Sequence, residues 1–195
     1  TDNYGRDILS RCIYGARISL SVGILAVGAA ILVGGLLGAV AAFYGGIVDD
    51  LIMRVLDIVY AVPAILLGIA IAATLGPSLQ NMMIAIAVGN VPSYARVVRA
   101  SVLTVKTNEY IEAARCIGAT DRRIIFQHIL PNALDPIIVD ATMTISSMML
   151  SAAGLSFIGV GVAPPNPEWG AMLNYAQQYF RTAPYMAIFP GLAIT

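Results

Sequence analysis

Three long stretches without a charged residue constrain the fold of this chain more than any other feature. They are Ile18–Val48, Ile58–Ala95 and Ala141–Pro167, and each contains at least 27 residues. Because about 20 apolar residues in a helix cross the hydrocarbon core of a bilayer, each stretch is long enough to span a membrane. Only 11% of the residues are charged, whereas soluble domains carry about 25%. These values exclude a soluble globular domain, a disordered chain and a nucleic-acid binder.

The middle stretch is too long for a single crossing. As one helix it would measure about 57 Å, nearly twice the thickness of the core, and Gly76-Pro77-Ser78 predicts a turn within it. The fold class we predict is all-α, a polytopic transmembrane helix bundle that forms a single domain over 1–195. The predicted crossings lie near 18–44, 55–75, 81–100 and 137–157, with a fifth that begins at Pro184 and is too short to cross.

The chain has no initiating methionine and no apolar segment before its first charges. We therefore expect it to be an internal part of a longer membrane protein.

The distribution of basic residues orients the bundle. Region 96–135 contains six of the eleven basic residues, so the positive-inside rule places it in the cytoplasm. Alternation then places 45–54 inside and 1–17, 76–80 and 158–183 outside, although the three arginines of 1–17 oppose this orientation. Cys12 and Cys116 would lie on opposite sides of the membrane, where they cannot pair.

Small residues recur at every fourth position of the first span. Positions four apart share one helix face, and small side chains there allow another helix to approach closely. We therefore predict close helix packing along this face. Pro63 and Pro92 fall inside the second and third spans, where each favours a kink. The small residues are Ala26, Ala30, Gly34, Gly38, Ala42 and Gly46.

Residues 101–134 have the pattern of two short amphipathic helices separated by a glycine. Asn108 is a candidate N-cap, and Glu109 and Glu112 fall in the first turn, where the helix dipole favours acidic side chains. Gly118 fits the left-handed position that ends a helix. The apolar face predicted for this first helix consists of Tyr110, Ala113, Ala114 and Ile117.

In the second short helix, Thr120 is the predicted cap and Pro131 the predicted end. The pair of short helices could dock a partner; the alternatives are a helix pair on the membrane surface and packing under the chain's own bundle. The apolar side is formed by Ile124, Ile125 and Ile129, and the polar side by Arg122 and Arg123.

This loop resembles the EAA loop of ABC-importer permeases. Glu112-Ala113-Ala114, three residues, Gly118, nine residues, His128 and then Leu130-Pro131 follow the family pattern E-A-A-x3-G-x9-I-x-L-P. The sequence departs from the pattern at His128, where the family has isoleucine.

Two further segments resemble one class of these permeases. Thr1–Arg11 and Pro164–Gly170, with Gly76-Pro77-Ser78 between two spans, are similar to the C-type subunits of dipeptide, oligopeptide and nickel importers. The resemblance extends over essentially the whole chain. Complete subunits of this class have six helices, so the chain would contain about five of them and lack parts at both ends.

The resemblance implies a transport subunit of the prokaryotic inner membrane. A second, B-type permease would complete the pathway, two ATPase subunits would bind in the cytoplasm, and a substrate-binding protein would dock outside. In this family the EAA loop seats in a groove of the ATPase. The implied docking residues are Tyr110, Glu112, Ala113, Ala114, Arg115, Ile117, Gly118, Arg122, Arg123, Leu130 and Pro131.

The sequence contains no nucleotide site of its own. It lacks the G-x-x-x-x-G-K-[ST] loop, and its only lysine, Lys106, has no glycine upstream nearer than Gly89. We therefore predict that the chain is not an enzyme and binds no cofactor or metal, and that ATP and Mg belong to partner subunits.

Two other functions compete with this prediction. An ion-driven secondary transporter or channel could use Asp57, Arg96 and Asp140 near the span ends to relay protons. An intramembrane enzyme fits less well, because His128 is the only histidine, two-histidine zinc sites are impossible, and no G-x-S-x-G occurs.

Overall fold

The structure, a computed structural model, describes residues 1–161 and 165–194 and contains helices but no strand in that part of the chain. The all-α prediction is confirmed. The main helices are α1 (Ile8–Tyr44), α2 (Gly46–Tyr60), α3 (Ala64–Leu75), α4 (Leu79–Lys106), α5 (Glu109–Cys116), α8 (Leu134–Phe157), α9 (Trp169–Ala176) and α10 (Tyr185–Ile194). The short elements are α6 (Asp121–Arg123), a π-helix (Ile124–Ile129), α7 (Leu130–Asn132) and a 3₁₀ turn (Gln177–Tyr179).

Two of the described helices, α1 and α8, are long and apolar enough to cross a membrane, and the interrupted pair α2 and α3 would make a third span. The predicted span near 81–100 lies within α4, which is 28 residues long but carries more polar side chains. The predicted fifth span corresponds to α10, an apolar helix of 10 residues. The number of crossings in the membrane stays a prediction.

The helices differ from the predicted spans and loops at two places. The first helix begins at Ile8, ten residues before the predicted span, because Asp7 accepts a hydrogen bond from the backbone N–H of Ser10 at 2.7 Å and so caps a helix that starts among charged residues. Residues 46–60, predicted in part as an inner loop, form α2. The chain turns instead at Gly45 and Gly46, whose φ angles of 68° and 53° favour glycine.

The two prolines differ in their effect. Pro63 interrupts the second predicted span: α2 ends at Tyr60, and Pro63 occupies the N-cap of α3. A proline disfavours helical backbone at the residue before it, which accounts for the break. Pro92, in contrast, lies inside a continuous α4.

The turn predicted at Gly76-Pro77-Ser78 is confirmed. Gly76 has a φ of 85°, and the Ser78 hydroxyl oxygen accepts a hydrogen bond from the backbone N–H of Asn81 at 3.1 Å. The Asn81 side chain donates to the carbonyl oxygens of Leu75 and Gly76. These contacts satisfy backbone groups at the end of α3 and the start of α4.

The chain divides into two compact units. Unit one consists of Thr1–Val27, Pro63–Ala87 and the described residues from Ile145 onward, and unit two consists of Gly28–Val62 and Val88–Thr144. We predicted a single transmembrane domain over 1–195, and this stays a prediction.

In unit one, the loop before α9 packs against the first turns of α1. The indole N–H of Trp169 donates to the carbonyl oxygen of Cys12 at 2.9 Å. The buried Glu168 carboxylate caps α9, accepting from the backbone N–H groups of Gly170 and Ala171 at 2.9 and 2.8 Å. Within the segment that resembles permease outer loops, Pro164 lies outside the described residues.

In unit two, the backbones of α1 and α4 touch. A Cβ atom built on Gly34 would lie 2.5 Å from the carbonyl oxygen of Val91, and one built on Gly38 would lie 2.2 Å from that of Ala95. Ala30 and Ala42, on the same face of α1, are fully buried. Ala26 is also buried, in unit one. This is the geometry that small residues at four-residue spacing allow.

Candidate functional site

Residues 101–134 are anchored in unit two by apolar side chains. Ile111, Ile124 and Ile129 are almost completely buried, in a cluster that also contains Val98 and Val102 of α4. Ile125 is buried as well. The predicted apolar side of the second helix is therefore confirmed, and it packs on the chain's own bundle rather than facing outward.

The first short helix, α5, ends in a Schellman motif at Gly118. The backbone N–H of Gly118 donates to the carbonyl oxygen of Arg115, and that of Ala119 donates to the carbonyl oxygen of Ala114, each at 3.0 Å. Gly118 has a φ of 81°, as its predicted left-handed position requires. Asn108 occupies the predicted N-cap, with extended backbone but without a side-chain capping bond.

The second short helix begins as predicted and ends differently. The Thr120 hydroxyl oxygen accepts from the backbone N–H of Arg123 at 3.4 Å. The chain then widens into the π-helix and continues through Pro131 to Asn132, so Pro131 does not end the helix as predicted. Because proline has no N–H and its ring crowds the carbonyl four residues earlier, a wider turn with bonds to the fifth residue relieves this conflict.

The exposed side of α5 forms an apolar tip. The tip consists of Tyr110, Ala113 and Ile117, all exposed, and Ile117 is 85% exposed. Ala114 was predicted to share this face but is buried beside Ile111, because it lies on the edge of the face that turns toward the bundle. Tyr110, Ala113 and Ile117 therefore remain as the part of the predicted face that a partner could contact.

The same two short helices carry charged side chains that are exposed as well. Glu112, Arg122 and Arg123 are exposed, as is Pro131, while Leu130 is half-buried. The Arg123 guanidinium donates to the side-chain oxygen of Gln127 at 3.0 Å. Thus α5 and α6 expose acidic and basic groups in addition to the apolar tip.

Arg115 also contacts the bundle, a role that the sequence did not indicate. Its guanidinium carbon lies 5.4 Å from the centre of the Phe43 ring, and the Lys106 amine lies 5.8 Å from the same centre. Lys106 donates to the carbonyl oxygens of Ala42 and Phe43, at 3.1 and 2.6 Å. A lysine that binds the last carbonyls of a helix stabilises its C-terminus, so the end of α1 is joined to the end of α4.

Two ion pairs join α2 to α4. Arg99 binds Asp49 with two hydrogen bonds, of 2.6 and 2.5 Å. The Arg96 guanidinium contacts Asp57 at 2.6 Å and lies over the Tyr60 ring at 4.4 Å. The first part of α2 was predicted as a loop because it is rich in acidic residues, although its charged residues repeat at helical spacing. Asp140, the third residue considered for a proton relay, is half-buried.

The comparisons with known proteins agree with this architecture. Residues 30–195 match the family described as binding-protein-dependent transport system inner membrane component. The chain belongs to this family. The resemblance to C-type permeases of the dipeptide class is likewise confirmed, because the chain is 47–51% identical in sequence to such permeases.

Several curated relatives are similar over the whole chain. A dipeptide transport system permease protein of Alkalihalophilus pseudofirmus is 51% identical over 100% of this chain. A glutathione transport system permease protein of Pectobacterium atrosepticum is 47% identical over 99%, and a di/tripeptide transport system permease protein of Pseudomonas aeruginosa is 47% identical over 100%. The chain spans 64% of the length of each of these relatives.

The fold is also that of a solved transporter. A chain of the MetNI methionine ABC transporter in an inward-facing conformation superposes with a TM-score of 0.74, covering 95% of this chain and 89% of that chain. A second crystal form gives 0.75. Sequence identity is 22% in both cases, so these structures support the fold class rather than the function.

Proposed function

We propose that this chain is a permease subunit of an ATP-driven importer for peptides or related small solutes. Family membership and the dipeptide, di/tripeptide and glutathione permeases among its relatives support this function. The subunit forms half of the translocation pathway together with a B-type permease in the lipid bilayer of the inner membrane. A substrate-binding protein delivers the solute from outside.

Coupling to ATP takes place through residues 101–134. The observation that carries this assignment is the apolar tip, which remains exposed although the other side of the same helix pair is buried. An exposed apolar group with a charged rim is typical of a binding surface. A groove on a cytoplasmic ATPase fits the tip, with Glu112, Arg122 and Arg123 forming charge pairs at the rim.

The anchoring of the loop makes it suitable for transmitting a movement. Its buried isoleucines pack against α4, while Arg115 and Lys106 contact the end of α1. A displacement of the tip therefore acts on two long helices. Switching a two-state pathway from 1:99 to 99:1 requires about 5.5 kcal/mol, which ATP and Mg bound to the two ATPase subunits supply.

Replacing Ile117 with serine tests the docking surface. Burying an isoleucine side chain contributes about 1.5–3 kcal/mol, so we expect Ile117→Ser to weaken ATPase binding by roughly tenfold or more and to reduce ATP-driven uptake. The measurement is the affinity of the purified ATPase for the complete permease pair, together with uptake in proteoliposomes. Ile47→Ser is the matched control, because Ile47 is also 85% exposed and lies in α2, outside the loop.

Three outcomes of this experiment would contradict the proposal. Equal ATPase affinities for Ile117→Ser and Ile47→Ser would remove the tip from the docking surface. Uptake by the permease pair without ATPase subunits, driven by an ion gradient, would support a secondary transporter instead. Peptide hydrolysis by the permease alone would indicate an enzyme.

The native cysteines test the orientation of the loop. Cys116 lies in α5 and is exposed, whereas Cys12 is buried. In the complete subunit, with other cysteines replaced, we expect a membrane-impermeant maleimide to label Cys116 in inside-out vesicles and not in right-side-out vesicles. Cys116→Ser is the control that should abolish the signal. Labelling only in right-side-out vesicles would place residues 101–134 outside.

A further inference from the structure

A cavity of about 210 Å³ lies in unit one, between the N-terminal turn, the start of α1 and α9. None of its lining residues belongs to 101–134, which form part of unit two. The sequence places both of its main walls, residues 1–17 and 158–183, on the outer side of the membrane, the side from which an importer receives its solute.

The charges around this cavity do not cancel. The Arg6 guanidinium is neutralised by the Asp2 carboxylate at 2.7 Å. Arg11 also lines the cavity, but it has no carboxylate partner in the part of the chain that the structure describes. Its one hydrogen bond there, 3.4 Å long, goes to the carbonyl oxygen of Pro165. Since a guanidinium has five N–H donors, Arg11 retains the capacity to bind an anion.

The carboxylate of Asp2 is already committed to the fold of the N-terminal turn. Its oxygen accepts from the backbone N–H groups of Tyr4 and Arg6 at 3.0 and 2.8 Å. Burial raises the pKa of Asp2, whereas these hydrogen bonds and the Arg6 side chain lower it. The lowering effects together are larger, so the pKa of Asp2 lies below its ordinary value. Asp2 therefore stays ionised and paired with Arg6, and the net charge of the cavity comes from Arg11.

Apart from Asn166, the rest of the cavity wall is apolar and aromatic. Met172 and Met186 line it, as do the rings of Tyr4 and Tyr175, whose centres lie 5.9 Å apart. Asn3 donates to the phenol oxygens of Tyr175 and Tyr179 at 2.9 and 3.0 Å, which fixes these rings. A wall of this kind accepts an apolar or aromatic side chain, and methionine adapts to different shapes.

We propose that this cavity binds the C-terminal residue of a short peptide, with its carboxylate on Arg11 and its side chain against the tyrosine and methionine wall. The assignment rests on the proposed importer function and names a contact for its substrate. The volume supports one residue rather than a whole ligand, because pockets for complete small molecules measure about 300–1,000 Å³. The remainder of the peptide would extend out of the cavity.

The test is direct binding of a dipeptide to the complete transporter in phosphatidylcholine nanodiscs, without the substrate-binding protein. The probe is radiolabelled Ala-Phe, compared with Ala-Phe amide, which lacks the carboxylate. For the unmodified transporter we expect the acid to bind roughly tenfold more tightly, the effect of one hydrogen bond to a charged group. Arg11→Gln should remove this preference, and Arg11→Lys should restore part of it.

Arg17→Gln is the matched control, because Arg17 is an exposed arginine of the same helix that does not line the cavity. It should retain the preference for the acid. The ratio between acid and amide separates ligand binding from a general loss of folding, which would weaken both probes equally. Thermal melting of each variant checks this point independently.

Three results would overturn the assignment. The first is equal binding of acid and amide to the unmodified transporter, and the second is an unchanged preference for the acid in Arg11→Gln. The third is displacement of the acid by equimolar phosphatidylglycerol in the nanodisc, which would assign the cavity to a lipid headgroup. ATP-driven uptake is measured on the same preparations. If any of these results is found but uptake still requires the ATPases, the cavity assignment fails and the importer function stands. Uptake without the ATPases would contradict the importer function itself.

Discussion

Gly38→Ala is expected to destabilise the protein strongly, although it adds only one methyl group. The new Cβ atom would lie 2.2 Å from the carbonyl oxygen of Ala95 and 2.9 Å from its carbonyl carbon. Both atoms belong to the backbone of α4, so no side-chain rotation can relieve the overlap. The two helices must separate, and overpacking of this kind costs typically about 1–3 kcal/mol.

The measurement is thermal unfolding of the complete subunit in mild detergent, with a lower melting temperature as the expected result. Gly28→Ala is the matched control: Gly28 lies ten residues earlier in α1, and among the described residues no atom beyond its chain neighbours and its own helix backbone lies within 4 Å of the added Cβ. Alanine also favours helix over glycine by about 1 kcal/mol, so the control should melt at the same temperature or higher. Equal melting temperatures for the two variants would mean that α1 and α4 are not in backbone contact at this position.

Breaking the pair between Arg99 and Asp49 is expected to cost more than breaking the pair between Arg96 and Asp57. Both pairs join α2 to α4, but the side chains of Arg99 and Asp49 are 35% and 14% exposed, against 42% and 61% for Arg96 and Asp57. Removal of one partner from a buried pair costs about 3–5 kcal/mol, because a charge is left uncompensated. Exposed pairs contribute about 0–1 kcal/mol, so we expect removal of one partner from the partly buried pair to lower the free energy of unfolding by about 2 kcal/mol.

Two double-mutant cycles measure this difference. The first combines Arg99→Met with Asp49→Asn, and the second combines Arg96→Met with Asp57→Asn, each followed by the free energy of unfolding in detergent. We expect a coupling energy at least about 1 kcal/mol larger in the first cycle. Equal coupling energies would show that burial does not distinguish the two pairs and that α2 is held in place by its apolar contacts.

The elements that the sequence predicted are those governed by local rules. The turn at Gly76, the Thr120 cap and the left-handed Gly118 follow from the conformational preferences of single residues and their neighbours. The apolar side of the second short helix follows from periodicity, and the burial of Ile124 and Ile129 confirms it. Such features require no knowledge of which helices meet.

The features that the sequence did not predict depend on distant partners. Helix α2 contains acidic residues that hydropathy assigns to a loop, yet Asp49 lies in a helix, where it is paired with Arg99, fifty residues later. The placement of Arg115 against Phe43 and the burial of Ala114 require knowledge of which side of α5 faces the bundle. The π-helix before Pro131 reflects a conflict between backbone hydrogen bonding and a proline ring.

The hydrogen bonds of Lys106 have a consequence for chemical labelling. This residue is the only side-chain amine in the 195 residues, and its hydrogens are directed to the carbonyl oxygens of Ala42 and Phe43. A reagent that acylates lysine must therefore first detach the amine from the end of α1. Within this chain, the rate of amine acylation measures how often the junction between α1 and α4 opens rather than how much surface the protein exposes.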